Sequence, residues 1–450
     1  MSRGGRHGFQ YARAFLVPVC IVVALASASV GCTVPDRDDR RSPDLSARHT
    51  RVASLGSVDL TRIEAASLAG GGIEGEPDAI LIGDVSGNAA DEFVVVRSGG
   101  FAVYSSDGTL RTTVPAVCAR MSGGALIDHD GDGKLDVVTG TARGTDPVVN
   151  VHNGRGLRIG GFRLFDDNSA FAALRPSALM AGDLLVIATE NWPAGARGVF
   201  RLSDPSLEVR WFAAVPTAVT GVAVAGDLTL VSNDIQSNGE YARIGTGPDV
   251  RFGFDAQPQV LALSAEGLPV VEQALPVSAG AEHAPVWLVP AGAREVLIHE
   301  EGLNRLSFSR ITEDGELRMV PVDLEAGTEI TQVAVHDGGF ALVALRADGW
   351  IVVAYDEEAT YIRSWEGEGA APRVVATFAD ANEPLSYLVA RAGGLAALDE
   401  TGVRSVFESP SLERPLRSAV AASRDDAAIV LVGADATLLR IPVVPAPVGK

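Results

Sequence analysis

From about residue 78 onward the chain alternates short apolar runs with polar turns, and the runs are too short for helices. Phe101–Tyr104 and Thr109–Val114 flank Ser105-Ser106-Asp107-Gly108, a hairpin pattern in which glycine adopts a positive φ at little cost. The pattern recurs. Val148–Val151 is followed by Asn153-Gly154, Leu306–Ser309 by Asp314-Gly315, and Gly394–Leu398 by Thr401-Gly402. Phe340–Leu345 turns at Asp348-Gly349 into Trp350–Tyr355. Strand-length runs at this spacing predict an all-β repeat protein.

One turn carries candidate chemistry. Asp128-His129-Asp130-Gly131-Asp132-Gly133-Lys134-Leu135-Asp136 sets carboxylates at loop positions 1, 3, 5 and 9, with glycines at 4 and 6. A hard divalent cation needs about six to eight oxygens at ~2.3–2.6 Å. Alternate residues of a tight loop can aim side-chain oxygens inward, and the carbonyl at position 7, Lys134, can add another. The pattern therefore predicts a calcium loop with Asp128, Asp130, Asp132, Lys134 and Asp136 as ligands. It is not an EF-hand: position 12 is Thr139 where that motif needs Glu, and the flanks Gly124–Ile127 and Leu135–Thr139 read as strands.

A degraded echo lies 44 residues earlier, in Asp84-Val85-Ser86-Gly87-Asn88-Ala89-Ala90-Asp91-Glu92. Asp84, Ser86, Asn88, the Ala90 carbonyl and Glu92 hold the corresponding positions, but less charge is available and Ala89 replaces the glycine at position 6. Weak calcium binding at most is expected there. The pair of loops resembles the repeats of the FG-GAP and VCBS families, found in the integrin-alpha type of β-propeller. In that resemblance each strand–loop–strand unit is the inner part of a propeller blade. It implies an all-β propeller of seven or eight four-stranded blades over residues 52–450, each using about 40 to 55 residues. Blade starts are expected near Asp78, Gly123, Pro176, Ala218, Ala284, Ile330, Ala371 and Leu416, with Val52–Leu60 supplying the strand that closes the ring. A rival reading divides the chain into two β domains near the prolines at 258, 269, 276 and 285.

The N-terminus predicts export. Arg3, Arg6 and Arg13 precede an apolar run from Ala14 to Val30, as in a secretory signal. Ser29-Val30-Gly31-Cys32 resembles a bacterial lipobox, although Ser29 stands where leucine is preferred. The resemblance implies cleavage after residue 31 and lipidation of Cys32; the alternative is an ordinary signal cut near Ala28. Residues 32–51 are polar and proline-bearing and read as a flexible tether. Thr33 after the cysteine favours the outer membrane if the cell has two membranes.

Charge and cysteine usage narrow the function. The chain carries a net charge of −20, and loss of residues 1–31 would remove three more arginines. Such a surface disfavours nucleic acid. Cys20 and Cys32 belong to the leader and its cleavage site, which leaves Cys118 alone in the body and excludes an internal disulfide. No Gly-x-Ser-x-Gly elbow, His-Glu-x-x-His helix or phosphate loop is present, and the histidines are scattered at positions expected to be turns or surface. The expectation is a monomeric, non-enzymatic, calcium-binding propeller lipoprotein that binds an envelope protein or glycan. Trp192 and the segments 191–197 and 233–240 are candidate binding loops. The alternative is a hydrolase or lyase acting on extracellular polysaccharide from the central channel.

Overall fold

The computed structural model describes residues 49–67, 73, 77–89, 92–116, 120–142, 148–163, 173–180, 182–189, 198–215, 217–235, 241–244, 251–254, 257–277, 281, 283–324, 327–379, 386–408, 420–423, 427–432 and 437–442. The leader, Cys32, the tether up to residue 48, Ala90, Cys118, Trp192 and residues 236–240 lie outside these.

Among the described residues eight sheets with four antiparallel strands each follow one another, and two of them carry a fifth, parallel strand. Blade 1 runs Pro77–Gly83, Glu92–Arg97, Gly100–Tyr104 and Leu110–Pro115. The first strands of blades 2 to 8 are Arg120–Ile127, Ala173–Met180, Val219–Ala225, Val286–Pro290, Glu329–His336, Arg373–Ala379 and Val420–Ser423. First strands of successive blades from 1 to 8 touch one another, so they are the innermost. The protein is a β-propeller. Residues 41–450 form one compact unit, which replaces the two-domain reading. What stands near residues 241–254 is an extra hairpin, Tyr241–Ile244 with Arg251–Phe254, inserted between the second and third strands of blade 4.

Burial explains the apolar pattern. In blade 1 the second strand, Glu92-Phe93-Val94-Val95-Val96, and the third, Gly100–Tyr104, are buried on both faces, and blade 2 covers the face of Val94, Val96, Phe101 and Val103. In the outermost strand, Leu110–Pro115, Thr112 and Val114 are half-buried and the others exposed, because successive side chains point to opposite faces at the rim. Five outer hairpins among the described residues close with one recurring turn: a polar residue accepts an N–H from the third residue on and donates its own to the fourth. Ser105, Asn153, Ser264, Thr312 and Asp356 all do so, with Gly108, Gly156, Gly267, Gly315 and Ala359 in the left-handed region. Polar side chains tie the blades together. Asp78 Oδ2 accepts the Gly123 N–H at 2.5 Å, the Thr220 and Ser232 hydroxyls donate to the Val286 carbonyl, and the Gln332 amide engages both backbone groups of Val374.

The N-terminal segment differs from expectation. His49–Arg51, placed at the end of the tether, pairs parallel with the inner strand of blade 6. Ala53–Ser57 pairs parallel with the inner strand of blade 7, and Leu55 is fully buried against Val375, Leu388 and Leu439. The strand completing blade 8 is Glu64–Ser67, antiparallel to Thr437–Pro442, and not Val52–Leu60. Leu55 alone commits the segment to the inner edge, since burying a leucine stabilises by about 1.5–3 kcal/mol.

Candidate metal centre

Both acidic loops connect the first and second strands of their blades, and their backbones agree at positions 4 and 6. Gly87 and Gly131 at position 4 have φ of 76° and 73°, and Ala89 and Gly133 at position 6 have φ of 60° and 82°. In each loop the position-9 carboxylate accepts the N–H of position 2: Val85 to Glu92 at 3.0 Å, and His129 to Asp136 at 3.0 Å. In each, the position-1 carboxylate accepts the N–H of position 6: Ala89 to Asp84 at 2.8 Å, and Gly133 to Asp128 at 3.1 Å. The loops also touch. Leu135 N–H donates to the Asp84 carbonyl at 2.9 Å, and the Lys134 stem lies across Gly87 so closely that a Cβ there would overlap it.

The carboxylates of the two loops are satisfied differently. In the first, Asp84 collects N–H groups from Gly87, Asn88 and Ala89. Glu92, 1% exposed, accepts from Val85, from Ser86 N–H at 3.2 Å and from the Ser86 hydroxyl at 2.6 Å. Asp84, Ser86 and Glu92 are therefore held by the loop's own donors, and Asn88 is exposed. Asp84, Ser86 and Glu92 thus form a hydrogen-bonded turn.

The second loop leaves negative charge without enough donors. Ligand oxygens of Asp128, Asp130 and Asp136 all lie within 4.8 Å of one another. Asp128 Oδ1 is buried with no hydrogen-bond partner. Asp136 is 3% exposed, and burial pushes its carboxyl up to about 6; the His129 N–H opposes this, while Asp130 and Asp132 push further. Three carboxylates converging with one orphaned oxygen are chemically suited to a hard divalent cation. Asp132 does not join them. It accepts the Lys134 N–H at 2.9 Å and forms an ion pair with the same residue's ammonium, a local closure that competes with ligation.

Other sequence expectations fall elsewhere. His152, His299 and His336 are buried, not on the surface. His336 Nε2 meets the Tyr387 hydroxyl at 2.7 Å across the boundary of blades 6 and 7, and burial lowers its pKa. Among the described residues, the Asp128 loop is the one grouping of three or more His, Cys, Asp or Glu side chains placed to hold a metal.

No protein-family model matches the chain, and no curated protein is similar to it at the sequence level. Solved structures of similar fold include BBS1N in complex with ARL6DN, 13% identical, covering 88% of this chain and 99% of that one with a TM-score of 0.46. The Dos1 propeller is 12% identical, covering 72% and 78% with a TM-score of 0.46. Virginiamycin B lyase from Staphylococcus aureus is 8% identical, covering 85% and 99% with a TM-score of 0.43. Likeness at this level is one of fold alone. A propeller is a scaffold that hosts binding modules and enzymes alike.

Proposed function

We infer that the chain is an exported, lipid-anchored β-propeller of the FG-GAP and VCBS type that takes one calcium ion in the Asp128 loop. In this reading it serves without catalysis as a binding or scaffold module for a protein or glycan of the cell envelope. The observation that carries the reading is the contrast between the two loops. With backbones that agree at positions 4 and 6, one copy satisfies its carboxylates internally while the other gathers three of them around an orphaned oxygen. Calcium's role would be structural: extracellular modules bind at around 10⁻⁴–10⁻³ M, so millimolar calcium adds on the order of 1 kcal/mol.

Export and anchoring rest on Arg3, Arg6, Arg13, the apolar run to Val30 and Cys32. Metabolic labelling with a radioactive fatty acid should tag the parent protein and leave Cys32→Ser untagged. Equilibrium dialysis should find close to one calcium per chain, and a protein that retains none at millimolar concentration would remove the calcium reading. The alternative, a polysaccharide hydrolase or lyase, requires acids converging on the channel.

A further inference from the structure

The N-terminal segment gives the two faces of the ring different roles. Parallel pairing of His49, Thr50 and Arg51 with Val333, Ala334 and Val335 means that the chain reaches blade 6 from the Glu329 end of its inner strand and runs toward His336. Antiparallel neighbours alternate in direction, so in each blade that end of the inner strand shares a face with the connection between the second and third strands. The two acidic loops and the turns between third and fourth strands lie on the opposite face. Residues 33–48 separate Cys32 from His49. As a coil that length spans about 20–25 Å. The inner strand of blade 6, with 8 residues, is by itself ~26 Å tall. A lipid at Cys32 therefore holds the face by which the chain enters nearer to the bilayer than the face of the acidic loops.

The extra hairpin of blade 4 stands on the entry face, because it is inserted between the second and third strands. Its strands read Tyr-Ala-Arg-Ile and Arg-Phe-Gly-Phe, with arginines and aromatics and no acid, and the pairing sets Arg243 opposite Phe252. Aromatic rings settle at the headgroup level of a bilayer, and guanidinium groups bind its phosphates. Trp192 and Arg197 fall in the corresponding connection of blade 3, between Asp183–Thr189 and Gly198–Leu202. Charge separates the faces as well. On the entry face the second strands of blades 1, 6 and 7 end in Arg97, Arg346 and Arg391, which stand among Glu301 and Asp348. The opposite face exposes Asp107, Glu266, Asp314, Glu357 and Glu400 in the turns between third and fourth strands, beside the acidic loops, and Lys134, Arg155 and Arg294 do not balance them. An anionic surface repels the second face far more than the first.

We propose that the entry face lies on an anionic phospholipid bilayer, with the Tyr241–Phe254 hairpin as a second contact beside the lipid at Cys32, so that the Asp128 loop points away from the membrane. The proposal rests on the lipid-anchor reading of Cys32. The full lipidated protein on vesicles of phosphatidylethanolamine and phosphatidylglycerol, doped with a lipid that carries a headgroup quencher, tests it. In a Cys118→Ser background, a fluorophore is placed by Ala242→Cys on the hairpin, by Ala347→Cys in the exposed turn between the second and third strands of blade 6, or by Glu357→Cys in the turn on the other face of that blade. The expected result is quenching of the labels at 242 and 347 and none at 357. Arg243→Gln and Arg251→Gln should each lower the ratio of docked to undocked hairpin about fivefold, read at 242, without moving the melting temperature. Quenching at 357 equal to or above that at 347, or at none of the three on vesicle-bound protein, would overturn the orientation. Quenching at 347 without 242 would overturn the hairpin contact. A parent protein that carries no lipid and stays off the vesicles would instead remove the anchor reading, and this one with it.

Discussion

Replacing Asp136 with asparagine should stabilise the calcium-free protein and abolish its response to calcium. In the folded chain the carboxyl titrates at about 6 against an ordinary 3.8. At ~1.4 kcal/mol per pH unit the difference is about 3 kcal/mol, an upper bound because the loop can relax. The folded value is the raised one. Below about pH 4 the group is therefore protonated in both states and costs nothing; the cost grows as pH rises through about 6 and is complete above it. Asparagine keeps an oxygen for the His129 N–H and removes the charge, so a gain of about 1–3 kcal/mol is expected at pH 7 in chelator. In calcium the parent gains on the order of 1 kcal/mol by linkage and the variant nothing. Urea unfolding at pH 5 and pH 7, with chelator or with calcium, measures all four quantities. A variant less stable than the parent in chelator at pH 7 would refute the view that Asp136 carries uncompensated charge.

Asp130→Ala should lower the melting temperature in calcium and leave it nearly unchanged in chelator, since Asp130 is exposed and its hydrogen bonds are to the neighbouring Asp132. Ser86→Ala removes the hydroxyl that donates to buried Glu92, and should cost about 1–3 kcal/mol in denaturant melts irrespective of calcium. Ala359→Gly relieves a left-handed alanine in the blade 6 turn and should raise stability by up to about 1 kcal/mol, whereas a loss would mean that the φ of 62° carries no strain. Leu55→Ala should cost about 2–5 kcal/mol by urea titration, and Leu157→Ala, at a site 63% exposed, close to none. Equal costs at the two sites would contradict the placement of the N-terminal segment in the core.

Much of the ring was legible because strands buried on both faces read as continuous apolar runs and their turns carry glycine. Asp78, Gly123, Pro176 and Ile330 lie inside inner strands as expected, and Ala218, Ala284 and Ala371 lie one or two residues before them. Leu416 falls outside the described residues, four before Val420. The polar-x-x-Gly turn that starts at Ser105, Asn153, Ser264 and Thr312 is a repeat signal carried by the residues themselves. The N-terminal path was not legible. His49–Ser57 pairs parallel with two inner strands far along the chain, and its alternation would suit any open edge. Glu64-Ala65-Ala66-Ser67 has no apolar signature, yet it completes blade 8.

At the site the sequence identified residue types and left their satisfaction open. Asp132 and Glu92 occupy ligand positions, but Lys134 claims the first, and the Ser86 hydroxyl with two backbone N–H groups claims the second.

The measurement closest to the central claim is a calorimetric calcium titration of residues 33–450, as parent, Asp128→Ala and Ser86→Ala. One saturable site in the parent, absent from Asp128→Ala and intact in Ser86→Ala, is the predicted result. Binding that survives Asp128→Ala, or is lost with Ser86→Ala while the fold persists, would place the ion elsewhere and contradict the account.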